Sequence, residues 1–220
     1  MIRILLLDDH RVVRSGYRRL LDAEVGLQVV AEAETVDEAY AHVCAGGIDV
    51  AIVDLSLRGA SGIEAIRRMR ARMRTLRILV LSMHDQAGYV TQAVRAGALG
   101  YLTKSCDPDE LVSAVHTVFT GRRAIAPEVA QTLAHVALDG EQALDCLTPR
   151  EFEVLRLAAR GRSVTDIAAH MHLSPKTVFN HLSTIRHKLD ADNDFKLFRL
   201  ALSHGLVDAD DDALACAVAG

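Results

Sequence analysis

Two periods of hydrophobicity alternate along the first 120 residues. The runs IRILLL (2–7), LQVVAEA (27–33), VAIVD (50–54), RILVLS (77–82) and ALGYLT (98–103) are dominated by Val, Ile, Leu and Ala. A strand buried on both faces reads this way, whereas a strand with one wet face alternates. Between the runs, apolar residues recur at helical spacing over about 12–24, 35–45, 62–73, 86–96 and 107–119. Five strand–helix units in succession predict an α/β domain, a five-stranded parallel doubly wound sheet with helices on both faces. Asp107-Pro108-Asp109-Glu110 predicts the last helix start. An acid stands at the N-cap, proline follows at the first helical position, and further acids sit on the positive end of the dipole.

The rhythm breaks at residue 121. Residues 121–146 contain Gly121, Pro127 and Gly140 and read as a linker, with a short helix expected near 127–137. From Leu147 onward only helical patterns occur. Thr148-Pro149-Arg150-Glu151 is a capping box with proline at the first helical position. Gly161 ends that helix, and a second follows at about 164–170. Ser174-Pro175-Lys176-Thr177 opens a third that runs to about Leu189. A fourth covers about 194–204 and stops at Gly205. The expected organisation is an α/β domain over 1–120, a linker over 121–146, an all-α four-helix domain over 147–207 and an acidic, flexible tail over 208–220.

Composition narrows the class. Half of the 220 residues are hydrophobic, enough for packed cores. No apolar run approaches the roughly 18 residues of a membrane-spanning helix. The N-terminus opens into a strand pattern without the profile of a signal peptide, so the expected compartment is the cytoplasm. Cys44, Cys106, Cys146 and Cys216 form no CxxC pair and read as free thiols. The net charge of −4 is unevenly spread. Residues 147–207 carry nine Lys/Arg against six Asp/Glu, while the last thirteen residues carry four acids and no base. A basic segment in an acidic chain points weakly to nucleic acid.

Candidate chemistry gathers at the carboxyl ends of the predicted strands, where open parallel sheets place their sites. Strand 1 ends in two adjacent acids, Asp8 and Asp9. Strand 3 ends at Asp54, strand 4 at Ser82, and strand 5 at Thr103 and Lys104. Adjacent carboxylates repel unless a cation neutralises them. With strands 1 and 3 as neighbours, three carboxylates converge, the oxygen donor set of a hard divalent ion such as Mg2+. A lone carboxylate such as Asp54 is also a competent nucleophile toward phosphorus, with Lys104 and Ser82 as fixed donors to the transferred group. His10 and His84 lie near these ends, but no metal-ligand spacing joins them.

These residues together closely resemble the receiver domain of bacterial response regulators, over residues 1 to about 120. The resemblance implies the sheet order 2-1-3-4-5 and Asp54 as phospho-acceptor. It implies Asp9 as direct metal ligand, Asp8 acting largely through water, and the Ser56 main-chain carbonyl as a further ligand. Lys104 would pair with the phosphoryl group, Ser82 would move to bond it, and Tyr101 would swing inward behind Ser82. The face of helix 4, strand 5 and helix 5 would then repack. Leu57-Arg58 replaces the Met-Pro often found in relatives, with Gly59 kept, and Ser105 replaces the common proline after the lysine.

In the helical end, Val178, Leu182, Ile185 and Leu189 form an apolar stripe. Lys176, Thr177, Asn180, His181, Ser183, Thr184, His187 and Lys188 lie opposite. Such a face suits a major groove, though a plain amphipathic helix has the same period. Residues 147–207 are similar to the LuxR-type helix-turn-helix domain of the NarL/FixJ class. The resemblance implies a recognition helix over 175–189, with 164–170 as its support. Phe179 stands where relatives often carry Lys, and Ser183 where a further base can occur. The expected DNA contacts are Lys176, Thr177, Phe179, Asn180, Ser183 and Lys188, with His181 as a structural hydrogen-bonder. The last helix is expected to form a dimer contact on DNA.

The expected protein is thus a phosphorylation-controlled transcription regulator and not an enzyme. Its expected partners are a sensor histidine kinase, double-stranded promoter DNA and a second copy of itself. The alternative is a DNA-binding regulator controlled by partner docking without phosphorylation. A phosphohydrolase of similar sheet would need a second acid two residues after the nucleophile, where this chain has Ser56.

Overall fold

A computed structural model describes residues 1–57, 60–127, 129–130, 143–204 and 206–207. Arg58, Gly59, Gly140, Gly205, the tail over 208–220 and most of the short helix expected near 127–137 lie outside the described residues. The chain divides into two compact units, Met1–Asp85 with Tyr89–Ala134 and Gln86–Gly88 with His135–Gly220.

The first unit contains eight strands among the described residues: β1 (Ile2–Leu7), β2 (Leu27–Ala33), β3 (Val50–Val53), β4 (Ser56–Leu57), β5 (Ala60–Ser61), β6 (Arg77–Ser82), β7 (Gly100–Thr103) and β8 (Ala124–Ile125). Its helices are α1 (Arg11–Asp22), α2 (Val36–Ala45), α3 (Gly62–Arg72), α4 (Ala87–Ala96) and α5 (Pro108–Phe119). The main sheet is parallel and runs β2-β1-β3-β6-β7-β8. Its first five members are the five predicted strands in the implied order. Ile4, Leu5, Leu6 and Leu7 of β1, and Val50, Ala51 and Val53 of β3, are almost wholly buried, as their unbroken apolar runs require. The α2 helix packs on α3, while α5 lies against β3, β6 and β7.

Two features depart from the expected sheet. It has six strands rather than five, because Ala124–Ile125 pairs with Gly100–Tyr101 inside the stretch read as linker. Two residues are too few to carry a period, so the pattern could not show them. The β4–β5 pair is a small antiparallel ribbon directly after Asp54. At the start of α5, Asp107 occupies the N-cap but its side chain makes no capping bond.

The second unit has four helices among the described residues: α6 (Pro149–Ala159), α7 (Val164–Met171), α8 (Pro175–Lys188) and α9 (Asp194–Ser203). A short 3-10 turn, Ala143–Cys146, precedes them. Each start is capped: Thr148, Ser163, Ser174 and Asn193 accept from the backbone N–H three residues on. The α7 helix stops at His172 in the left-handed region, φ +52°, which turns the chain into Ser174 and α8. Val178, Leu182 and Ile185 of α8 are buried with Phe152, Leu155, Ile167, Met171, Leu197 and Ala201. Side chains of this kind contribute about 1.5–3 kcal/mol each when fully buried.

Glu151 ties the unit together. It completes the Thr148 capping box and receives Lys188 Nζ at 2.6 Å. Burial opposes its charged form, but the bonds from Lys188 and Thr148 outweigh burial and hold its pKa below the usual carboxylate value. That stabilisation is present above about pH 4.5 and is lost as pH falls through the lowered value. Glu151→Ala should cost about 1–3 kcal/mol at pH 7, with the deficit shrinking toward pH 3. Urea midpoints at the two pH values measure it, and an equal deficit at both would remove the charge from the account.

Candidate functional site

The sheet order reverses between β1 and β3, and their carboxyl ends are adjacent there. Leu7 stands opposite Val53, and Asp54 N–H donates to the Leu7 carbonyl at 2.9 Å. Asp8 and Asp54 therefore leave the sheet side by side, both buried. The cation that neutralises them is Lys104. Its Nζ donates to Asp8 Oδ2 at 2.8 Å and to Asp54 Oδ2 at 2.7 Å. The other oxygens are met by backbone: His10 N–H reaches Asp8 Oδ1 at 2.7 Å, and Ser56 N–H reaches Asp54 Oδ1 at 3.0 Å. Burial lowers the Lys104 pKa, but the bonds to Asp54 and Asp8 outweigh it and hold the ammonium above its ordinary value.

Asp9 lies beside His10, with Oδ1 2.8 Å from His10 Nδ1. Asp8, Asp9, His10 and Asp54 offer ligand atoms within 4.8 Å of one another. Three carboxylates in that space form an oxygen set that a hard divalent cation fits. Ser56, expected as a main-chain ligand, lies in β4 two residues past Asp54. Ser82 ends β6, fully buried, and accepts His84 N–H at 3.2 Å. Tyr101 of β7 is fully buried, and its hydroxyl donates to the His84 carbonyl at 2.6 Å. Burial pushes its phenol well above the usual tyrosine value. Among the described residues every peptide bond is trans, Lys104–Ser105 included.

Arg14 and Gly62 of the site were not read from the sequence, and His84 was read only as lying near it. Arg14 is a buried cation whose Nη1 donates to the Asp8 carbonyl at 2.5 Å, while Nε and Nη2 pair with Glu32 and Glu34 at 3.1 and 2.7 Å. Its spacing to Leu21, i to i+7, puts it on the inward stripe of α1, which was the available signal. Gly62 opens α3 against Asp54: a Cβ there would lie 2.2 Å from the Asp54 carbonyl oxygen. His84 bonds Ser56 through its ring, Nε2 to Oγ 3.1 Å.

On α8, Lys176, Phe179, Asn180 and Ser183 are exposed, opposite the buried stripe. Thr177 is half-buried, its Oγ1 2.8 Å from Ser174 Oγ within the cap. Lys188 is engaged by Glu151, a pairing that competes with the phosphate contact expected of it. Arg186 Nη2 reaches Asp194 at 2.5 Å and ties α8 to the start of α9.

Comparison with known proteins agrees with both halves. The response regulator receiver domain family matches residues 4–116, and the luxR family of bacterial regulatory proteins matches 145–201. Transcriptional regulatory protein UhpA of Escherichia coli K12 is 44% identical over 199 residues, 90% of this chain and 97% of that protein. A LuxR-family response regulator from Aurantimonas sp. SI85-9A1 is 45% identical with a TM-score of 0.60, covering 62% of this chain and 97% of its own. RcsB of Salmonella enterica serovar Typhimurium, solved on promoter P1flhDC with the phosphomimetic BeF3-, is 27% identical with a TM-score of 0.66, covering 92% of this chain and 98% of its own. This chain therefore belongs to the two-component response regulators of the NarL/FixJ class, a receiver domain followed by a LuxR-type helix-turn-helix domain.

Proposed function

We propose that a sensor histidine kinase passes a phosphoryl group to Asp54, and that this controls dimerisation and binding of the helical domain to promoter DNA. One observation carries the reading: a buried Asp54 whose outer oxygen is held, among the described residues, by the ammonium of Lys104. An Asp54 oxygen attacks phosphorus, the bond from phosphorus to the kinase imidazole nitrogen breaks, and that nitrogen keeps the electron pair. Lys104 then leaves Asp54 for a phosphoryl oxygen, and the Ser82 hydroxyl bonds another. Asp8, Asp9, Asp54 and the Ser56 carbonyl would hold Mg2+, which when bound supplies further positive charge for the phosphoryl oxygens. We assign 1–120 together with the strand at Ala124–Ile125 that completes the sheet to the receiver, the rest of 121–146 to the linker, 147–207 to the DNA-binding domain and 208–220 to a tail.

The exposed face of α8 supplies DNA contacts of two kinds: Lys176 to phosphate, and Phe179, Asn180 and Ser183 to groove edges. That RcsB, 27% identical, was solved bound to a promoter supports DNA as the partner. No helix of the described residues is long and apolar enough to cross a membrane. Intact mass after incubation with Mg2+ and acetyl phosphate tests the first step; a gain of about 80 Da is expected, and none even with a cognate kinase would leave docking without phosphorylation. For the last step, Lys176→Ala should weaken binding evenly across DNA sequences and reduce the salt slope by about 1. Anisotropy titrations at several salt concentrations read it, and an unchanged slope would mean Lys176 touches no phosphate.

A further inference from the structure

His84 touches both sides of the acceptor site. Its backbone N–H donates to Ser82 Oγ at 3.2 Å, and its carbonyl receives the Tyr101 hydroxyl at 2.6 Å. Its ring is fixed at two places. The edge meets Ser56 Oγ at 3.1 Å, and the face stacks on Tyr89 with centroids 4.3 Å apart and planes 6° from parallel. Ser56 in turn donates its N–H to Asp54 Oδ1 at 3.0 Å. A hydrogen-bonded path thus runs from Asp54 through Ser56 and His84 to Tyr101, between residues far apart in sequence.

The direction of a peptide carbonyl is set by soft backbone torsions. An imidazole clamped by edge and face leaves those torsions little freedom, so the carbonyl stays aimed at the phenol. A buried phenol needs its hydrogen bonds met, and here the His84 carbonyl accepts from Tyr101 while the Ser82 side chain bonds the same phenol. We propose that His84 is a positioning residue that couples the acceptor loop to the switch tyrosine: its ring, held by Ser56 and Tyr89, aims the carbonyl that keeps Tyr101 inward. The proposal rests on the reading of Asp54 as phospho-acceptor. Two consequences follow. Tyr101 is already held inward before any phosphoryl group arrives. A phosphoryl group that draws on Ser82 and on the Ser56 loop pulls His84 from both sides, so the tyrosine reads two displacements through one residue.

The competing account is that burial alone keeps Tyr101 in place, with His84 a neighbour. Fluorine NMR of the full chain labelled with 3-fluorotyrosine separates them. The chain has four tyrosines, and Tyr101→Phe assigns the signal by deletion. Ser56 is exposed, so Ser56→Ala leaves the core intact. Ser56→Ala and His84→Ala should each move the Tyr101 signal by more than its linewidth toward the position of free fluorotyrosine. The double variant should move it no further than His84→Ala alone, because both changes cut one path. A Tyr101 signal left in place by either single variant, or shifts that add in the double, overturns the coupling. The spectra need no phosphoryl donor. A chain that takes up no phosphoryl group would fail the acceptor reading and leave this outcome standing by itself.

Discussion

Asp54→Asn should abolish the mass gain of about 80 Da expected of the wild-type chain with acetyl phosphate and Mg2+. The amide is a poor nucleophile, and no second carboxylate occupies the same place between Lys104 and Ser56 N–H. The fold should survive. With Asn Oδ1 facing Ser56 N–H, the amide nitrogen meets the Lys104 ammonium, donor against donor. With the amide turned over, the clash moves to Ser56. One hydrogen bond is lost either way, but one of two adjacent buried negative charges goes with it. The net change should lie within about 2 kcal/mol, so a urea midpoint near that of the wild type is expected. Uptake at the wild-type level in this variant would sink the acceptor assignment.

Lys104→Met should be the more damaging change to the free protein. It leaves the Asp8 and Asp54 carboxylates, 5% and 2% exposed, with backbone donors but without the cation that bonds both. Removing one partner of a buried ionic cluster costs about 3–5 kcal/mol. Adding Mg2+ should recover part of the loss, and Lys104→Met with Asp54→Asn should recover much of it, since one charge is gone. Phosphoryl uptake should fall roughly 100-fold for want of a fixed cation on the transferred group. Urea midpoints at pH 8, with and without Mg2+, decide it. A variant as stable as wild type at pH 8 without Mg2+ would show that Lys104 is not what neutralises these acids.

Most of the sheet was legible because its strands are buried on both faces, and burial writes itself as unbroken Val, Ile and Leu. The helix starts at Thr148 and Ser174 were legible for a different reason: capping needs a side-chain oxygen at one position and is local. The predicted strand ends placed Asp8, Asp54, Lys104 and Ser82 at one end of the sheet, where the structure has them, and the resemblance to receivers gave them roles. What stayed hidden depends on partners distant in sequence. Arg14 looks like any helical surface cation until Glu32, Glu34 and the Asp8 carbonyl surround it. Lys188 belongs to the polar face of α8 by spacing, yet Glu151 lies within its reach from α6. His84 carried no ligand spacing, because its contacts are to a serine hydroxyl, a ring face and its own main chain.

The sixth strand bears on where the receiver ends as a piece of protein. Ala124 N–H donates to the Leu99 carbonyl and Ala126 N–H to the Tyr101 carbonyl, each at 3.1 Å. Those bonds cap the open side of β7. A receiver cut at residue 120 would expose that row of carbonyls and amides, a template for any other extended chain. The native edge is guarded by being only two residues long, with Arg123 before it and Pro127, which has no N–H to offer, just after. By this measure the receiver closes at residue 127, and the first residues of the connection protect it from sticking to its own kind.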